Sequence, residues 1–125
     1  MAVGLAATLA NSFLNYFRAV NITAISPFMK LHVGDPGAAG TANASAVTTR
    51  NAVTFAAASA GSMALSSVGG YSMTTTETIS HVSFWDASSA GTFVRSEALT
   101  TSVGVINGST LTFTTITFAL TPIAA

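Results

Sequence analysis

Residues 102–120 read SVGVINGSTLTFTTITFAL, two β-prone runs on either side of Asn107-Gly108. Asn and Gly both tolerate positive φ, so the dipeptide predicts a type I′ hairpin turn between a strand at 102–106 and one at 109–120. In the second run Leu111 and Phe113 share one face, whereas Ile116, Phe118 and Leu120 have the opposite parity. Side chains on a strand alternate with a period of two. The inward face must therefore change partway along, which predicts a bulge or bend near Thr114 and Thr115, as where a long strand turns the corner of a sandwich.

Outward from this stretch the same vocabulary continues: short runs of Thr, Val, Phe and Ile separated by Gly, Ser and Asn. It predicts strands at 28–33, 47–56, 62–67, 78–85 and 92–99. Ile79 against Val82 and Phe84 shows a second, weaker break of parity. Strands and helices do not alternate, so a parallel βαβ sheet is excluded in favour of antiparallel sheets.

Ahead of the strands, Leu5, Leu9, Phe13 and Phe17 form an i, i+4 series with Leu14 and Val20 beside it, and Asn11, Asn15 and Arg18 fall on the other side. This predicts one amphipathic helix within residues 1–20. Its polar side is thin, so it touches protein on more than one face: either it packs on its own sheet, or it is an anchor for a neighbouring subunit. Residues 21–46 are a connection with one short strand and the turn Gly34-Asp35-Pro36-Gly37. Pro36 presets the φ of a turn's second position and Gly37 suits the positive φ that follows, which predicts a tight turn over 35–38. Residues 38–46 are too small and polar to pack a core and are expected to be a surface loop. The expected fold is mainly β, an antiparallel β-sandwich or small barrel over 47–125 preceded by one N-terminal amphipathic α-helix, all in a single structural domain.

Composition narrows the function. Charged residues make up 6% of the 125, half the chain is hydrophobic, and the formal net charge is zero. An ordinary soluble domain is about a quarter charged. Such a surface gives little repulsion between copies, and it suits a protein covered by other protein in an array. Four scattered cations cannot neutralise a run of phosphates, which argues against nucleic-acid binding. The N-terminal stretch has no basic n-region and is interrupted by Asn11, Asn15 and Arg18, so neither a signal peptide nor a membrane span is expected. With no Cys, disulfides and thiolate chemistry have no part.

The search for chemistry returns little. His81, Ser83 and Asp86 are the residue types of a hydrolase triad, but on one strand His81, Ser83 and Trp85 share a face while Asp86 has the other parity, and no nucleophile elbow supports them. His32 and Asp35 are three residues apart, yet a metal needs three or four convergent ligands. The glycines of 34–40 lack the Gly-Lys-Ser/Thr of a phosphate loop. No catalytic residue, metal site or cofactor is expected. Trp85 with Phe84 and Phe93 is either a ligand platform or filling for the sandwich, the latter being the more common role of such residues.

Several stretches together, Lys30-Leu31-His32-Val33-Gly34-Asp35-Pro36-Gly37, Gly40-Thr41-Ala42-Asn43, Thr49-Arg50-Asn51-Ala52-Val53-Thr54-Phe55, His81-Val82-Ser83-Phe84-Trp85-Asp86, Gly91-Thr92-Phe93 and Thr110-Leu111-Thr112-Phe113, resemble a family of small tail-fibre-like or minor tail proteins of tailed actinobacteriophages. The resemblance spans nearly the whole chain. It implies a non-enzymatic structural protein of the virion, assembled in the bacterial host cytoplasm. Its partners would be tail or major capsid subunits and further copies of itself, with trimers fitting the three-fold positions of either setting. Residues expected to dock are Leu5, Leu9, Phe13 and Phe17 on the helix and Asp35, Pro36 and Gly37 at the turn. A capsid decoration protein that cements the head shell is the near alternative. A host-surface or carbohydrate-binding module using Trp85 is the more distant one.

Overall fold

The computed structural model describes residues 3–119 and runs α1 (Ala7–Tyr16), β1 (Phe28–His32), β2 (Asn51–Phe55), β3 (Ser62–Val68), β4 (Tyr71–Ser72), β5 (Glu77–Trp85), β6 (Phe93–Val105), β7 (Thr110–Leu111) and β8 (Thr117–Ala119). Six strands form one antiparallel sheet in the order β6-β5-β1-β2-β3-β8, and β4 pairs with β7 in a separate ribbon. The large sheet curls into a half-barrel, so the expectation of an antiparallel sandwich or small barrel behind one helix is met. The two ends of the expected layout, residues 1–2 and 120–125 with Leu120, lie outside the described residues.

The curl follows from the bulges. Along β5 and β6 the register changes between Ile79 and His81 and again between Phe84 and Trp85. The first change resolves the parity break read at Ile79: with the register shifted there, Ile79, Val82 and Phe84 are all buried on the core side, at 0%, 0% and 2% exposure. They join Met29 and Leu31 of β1, Val53 of β2 and Val94 and Val105 of β6. From the ribbon, Tyr71 and Leu111 close onto the same core, with Met73 just after β4 and Ile116 just before β8. Each fully buried aliphatic or aromatic side chain contributes on the order of 1.5–3 kcal/mol. The Tyr71 hydroxyl donates to the Met29 carbonyl at 2.6 Å, so the ribbon is pinned to β1 by a buried hydrogen bond as well.

Three local expectations need correction. Asn107-Gly108 does form a turn, with Ser109 N–H donating to the Ile106 carbonyl, but it does not join two paired arms. β6 pairs with β5, whereas β7 pairs with β4, so the turn carries the chain from sheet to ribbon. Only Gly108 has positive φ, at +88°, which matches a type II rather than a type I′ turn. Its partner is Met73, which exchanges N–H···O bonds with Gly108 and Ser109, both 2.8 Å. Second, the long run 109–120 is two strands: the change of face at Thr114 and Thr115 is a full break between β7 and β8, the latter paired with β3. Conversely, the separate strands read at 92–99 and 102–106 are one strand, β6.

Third, the helix is shorter than the apolar series. Leu5 is not helical; it lies opposite Arg95 in an antiparallel bridge, with Ala6 N–H donating to Val94 O and Ser96 N–H to Gly4 O, both 2.8 Å. The N-terminal segment thus extends the sheet beyond β6 before α1 begins. At the other end Ala19 adopts φ +61° and stops the helix.

Candidate docking surface

Two faces of β5 are covered by different parts of the chain. The inner face packs the core, and the outer face lies under the loop after β1. Register places Phe28, Lys30 and His32 opposite Trp85, Ser83 and His81. His32, at 0% exposure, sits diagonally from Ser83 and its Nε2 is 2.8 Å from the Ser83 hydroxyl. Its Nδ1 is 2.8 Å from the Ala42 carbonyl, which can only accept, so Nδ1 carries the proton and Nε2 accepts from Ser83. Ser83 Oγ in turn accepts the Trp85 indole N–H at 2.8 Å. Desolvation lowers the His32 pKa, and the nearby charges of Lys30 and His81 act in the same direction against the bond to Ala42.

A serine hydroxyl on an imidazole is the beginning of a nucleophilic pair. Here both groups are buried, the hydroxyl is occupied on its acceptor side, and a backbone carbonyl stands where a triad has its carboxylate. The arrangement fixes the loop to the sheet. The sequence placed Ser83 near His81 and Asp86; the structure gives it to His32 on the neighbouring strand, while His81 Nδ1 bonds the Ser80 hydroxyl. Among the described residues no group of three or more His, Asp and Glu side chains gathers as a metal site. Nor is any described helix long and apolar enough to cross a membrane.

Trp85 is 6% exposed. The Arg50 guanidinium lies 3.8 Å from its ring centroid and is held there by the carbonyls of Ala87 and Ala90, and Phe93 packs beside it at 5.6 Å. The indole face that a sugar would stack on is thereby taken by Arg50. The turn residues are also engaged internally. Asp35 Oδ1 accepts from Gly37 N–H at 2.7 Å, Pro36 is fully buried, and Gly37 has φ +72°. The hydrogen-bonded turn itself runs two residues later than expected, from Gly37 to Gly40. Gly40 presses on the ring of Phe93, so the loop also helps bury the outer face. What it offers to a partner is its rim, where Ala38, Ala39, Thr41, Ala42 and Asn43 are exposed.

The helix series divides into two environments. Leu5, Leu9 and Phe13 are half-buried, and Leu9 packs against the core cluster. Phe17 caps α1 and is 88% exposed. Beside it stand Leu14 at 66% and Tyr16 at 64%, followed by Val20, Ile22 and Ile25 at 41–47%. Isolated apolar residues on a surface are ordinary, but six in one short segment form a patch that water penalises. The sequence showed the apolar series but gave no sign of which members stay outside. Between this segment and the inner face of the sheet opens a groove of about 1010 Å³, walled by Leu9, Phe13, Phe55, Met63, Phe84 and Phe118.

Arg95 also lines that groove. Arg95 on β6 lies 4.0 Å from the ring centroid of Phe118 on β8 and makes a 2.7 Å ion pair with Glu97. Burial lowers the Arg95 pKa, opposed by Glu97, and its Nε and Nη1 are buried without a hydrogen-bond partner.

A neutral β module with an apolar N-terminal patch has the physical character of an assembly subunit. Residues 4–121 match the family described as Podophage GP4 fiber I protein gp80, and the chain belongs to that family of phage tail-fibre-like structural proteins. Membership makes it a virion component associated with other virion proteins. No curated protein matches the chain.

Proposed function

We propose that the protein is a small, non-enzymatic accessory subunit on the surface of a tailed phage virion, held by apolar contacts made through its N-terminal segment. The observation that carries this reading is the run from Leu14 to Ile25, in which six large apolar side chains are exposed on a chain of zero net charge. Covering them removes apolar area from water at roughly 25 cal/mol per Å². Many copies on a lattice gain avidity, so each contact can be modest. Leu9 and Phe13 then serve both their own sheet and the interface, and the rim of the loop at 38–43 is the second point of contact. The fibre description of the family favours a tail location over a cement role on the head shell. The resemblance read from the sequence is the support for an actinobacterial host.

The test is incorporation. Phe17→Asp changes a side chain that the fold does not use, so the variant should fold and be missing from particles. Labelled protein should be seen at the tail by electron microscopy of virions. A folded Phe17→Asp protein present at the parent's level in particles rejects docking through this segment, and a uniform label over the head rejects the tail.

A further inference from the structure

Ala19 holds φ +61°, a left-handed conformation that a residue with a Cβ adopts only at a cost. It sits where the chain leaves α1 and turns back. The N–H groups of Arg18, Ala19 and Val20 donate to carbonyls of Asn15 and Tyr16, so this turn is bonded to the helix and not to the sheet. Beyond it residues 21–26 are all exposed, and among the described residues none of them makes a hydrogen bond. The arm ahead of the turn, residues 3–17, is attached to the rest of the chain at few places. Gly4 and Ala6 pair with Ser96 and Val94, Leu9 meets the core, and Phe13 lines the groove. A strained hinge, a tether bonded to nothing and an arm seated by a short list of contacts are the conditions under which identical chains trade a segment.

We infer that the arm is exchanged between copies: residues 3–17 of one chain seat on β6 and in the groove of a second chain, with residues 18–26 opened as the link between them. This deepens the reading of the N-terminal segment as the docking element and rests on it, the partner now being a second copy. Every contact of the arm with β6 and the groove is preserved, because the receiving surface is identical, and only the bonds of the turn to Asn15 and Tyr16 are given up. Opening releases Ala19 from its left-handed conformation. It also brings two tethers together, where Val20, Ile22 and Ile25 and the free backbone groups of 21–26 can cover one another. With zero net charge, little repulsion opposes the approach.

The chain has no cysteine, so introduced cysteines report without background. Leu5 and Arg95 are directly opposed. Two differently tagged copies, one carrying Leu5→Cys and the other Arg95→Cys, are co-expressed and oxidised. A reducible band joining both tags, absent when both copies carry Leu5→Cys, is the expected result. Ala6→Cys with Val94→Cys repeats the test with Arg95 intact, and circular dichroism confirms that each variant is folded. In parallel, Ala19→Gly, which relieves the hinge, should raise the monomer fraction by at least about fivefold. Ala19→Pro, which cannot take that φ, should lower it. Both are read by light scattering after size-exclusion chromatography. A monomeric parent, with no cross-tag band from either folded cysteine pair, overturns the exchange. These measurements need only purified protein, so loss of Phe17→Asp from particles without any cross-tag band would leave docking intact and reject the second copy as partner.

Discussion

The Nε2 of His32 on β1 lies 2.8 Å from the hydroxyl of Ser83 on β5, a bond between adjacent strands whose residues are 51 apart in sequence. It is also the point at which the loop after β1 is tied to the outer face of the sheet, since the other ring nitrogen holds the Ala42 carbonyl.

That bond makes folding sensitive to acid. Burial favours neutral His32, so its folded pKa lies below the unfolded value of about 6.5. The unfolded chain therefore binds more protons below that value, and the contribution of His32 is whole above about pH 6.5 and falls as pH drops toward the folded pKa. The slope is bounded by one proton, about 1.4 kcal/mol per pH unit. Urea unfolding of the parent and of His32→Gln at pH 7.5 and 5.5 should show a His32-dependent loss of stability at the lower pH. Equal losses in the two proteins would remove His32 as the source.

Ser83→Ala strips the donor from His32 and the acceptor from Trp85 at a buried site. Leaving buried polar groups unpaired costs about 1–3 kcal/mol, and the denaturation midpoint should fall accordingly with the m-value unchanged.

Gly37 and Gly40 separate two kinds of cost, because both have φ +72° but differ in surroundings. A Cβ on Gly37 comes no closer than 3.7 Å to Ala42, whereas one on Gly40 would stand 2.3 Å from a ring carbon of Phe93. Gly37→Ala should lose about 1 kcal/mol, from the backbone alone. Gly40→Ala should lose that and roughly 1–3 kcal/mol more from overpacking, measured as the difference between the two midpoints.

Phe84 and Phe17 mark the extremes of exposure among the phenylalanines, at 2% and 88%. Phe84→Ala should cost about 3–5 kcal/mol in equilibrium unfolding. Phe17→Asp should stay within about 0.5 kcal/mol of the parent.

The ion pair of Arg95 and Glu97 gives an unusual sign. With Nε and Nη1 of Arg95 buried and unpartnered, the pair pays desolvation without full return. Replacing both by Met and Leu should be neutral or stabilising, whereas Arg95→Met alone, which leaves the partly buried Glu97 carboxylate without its ion-pair partner, should destabilise. Thermal unfolding of the single and double variants decides it.

The architecture was legible where side-chain parity carried it. Ile79 against Val82 announced a bulge that the backbone then shows, and Phe113 against Ile116 marked a change of face that is a break between two strands and not a bend within one. What parity cannot give is the partner of each strand. Asn107-Gly108 reads as a local hairpin, yet β6 is claimed by the long ladder to β5, and the ribbon partner of β7 is Tyr71-Ser72, a strand of two residues between Gly70 and a Thr-rich turn that no periodicity reveals. The same limit hid His32 and Ser83. Each lies in a run read as a strand, but their adjacency depends on a register set by the whole of β1 against β5. For the docking surface, the i, i+4 series marked Leu9, Phe13 and Phe17 but could not tell that Leu5 would leave the helix to bond β6.

β6 runs as one strand from the bridge with the N-terminal segment to the turn at Ile106, and it pairs with β5 in two ladders, one from Phe93 to Ala98 and one from Val103 to Val105, on either side of a bulge. A pull applied along that strand meets its cross-links side by side, so they must yield together in shear and cannot peel open one at a time. Tension entering through the N-terminal segment, the attachment proposed above, would be carried into the sheet along this strand.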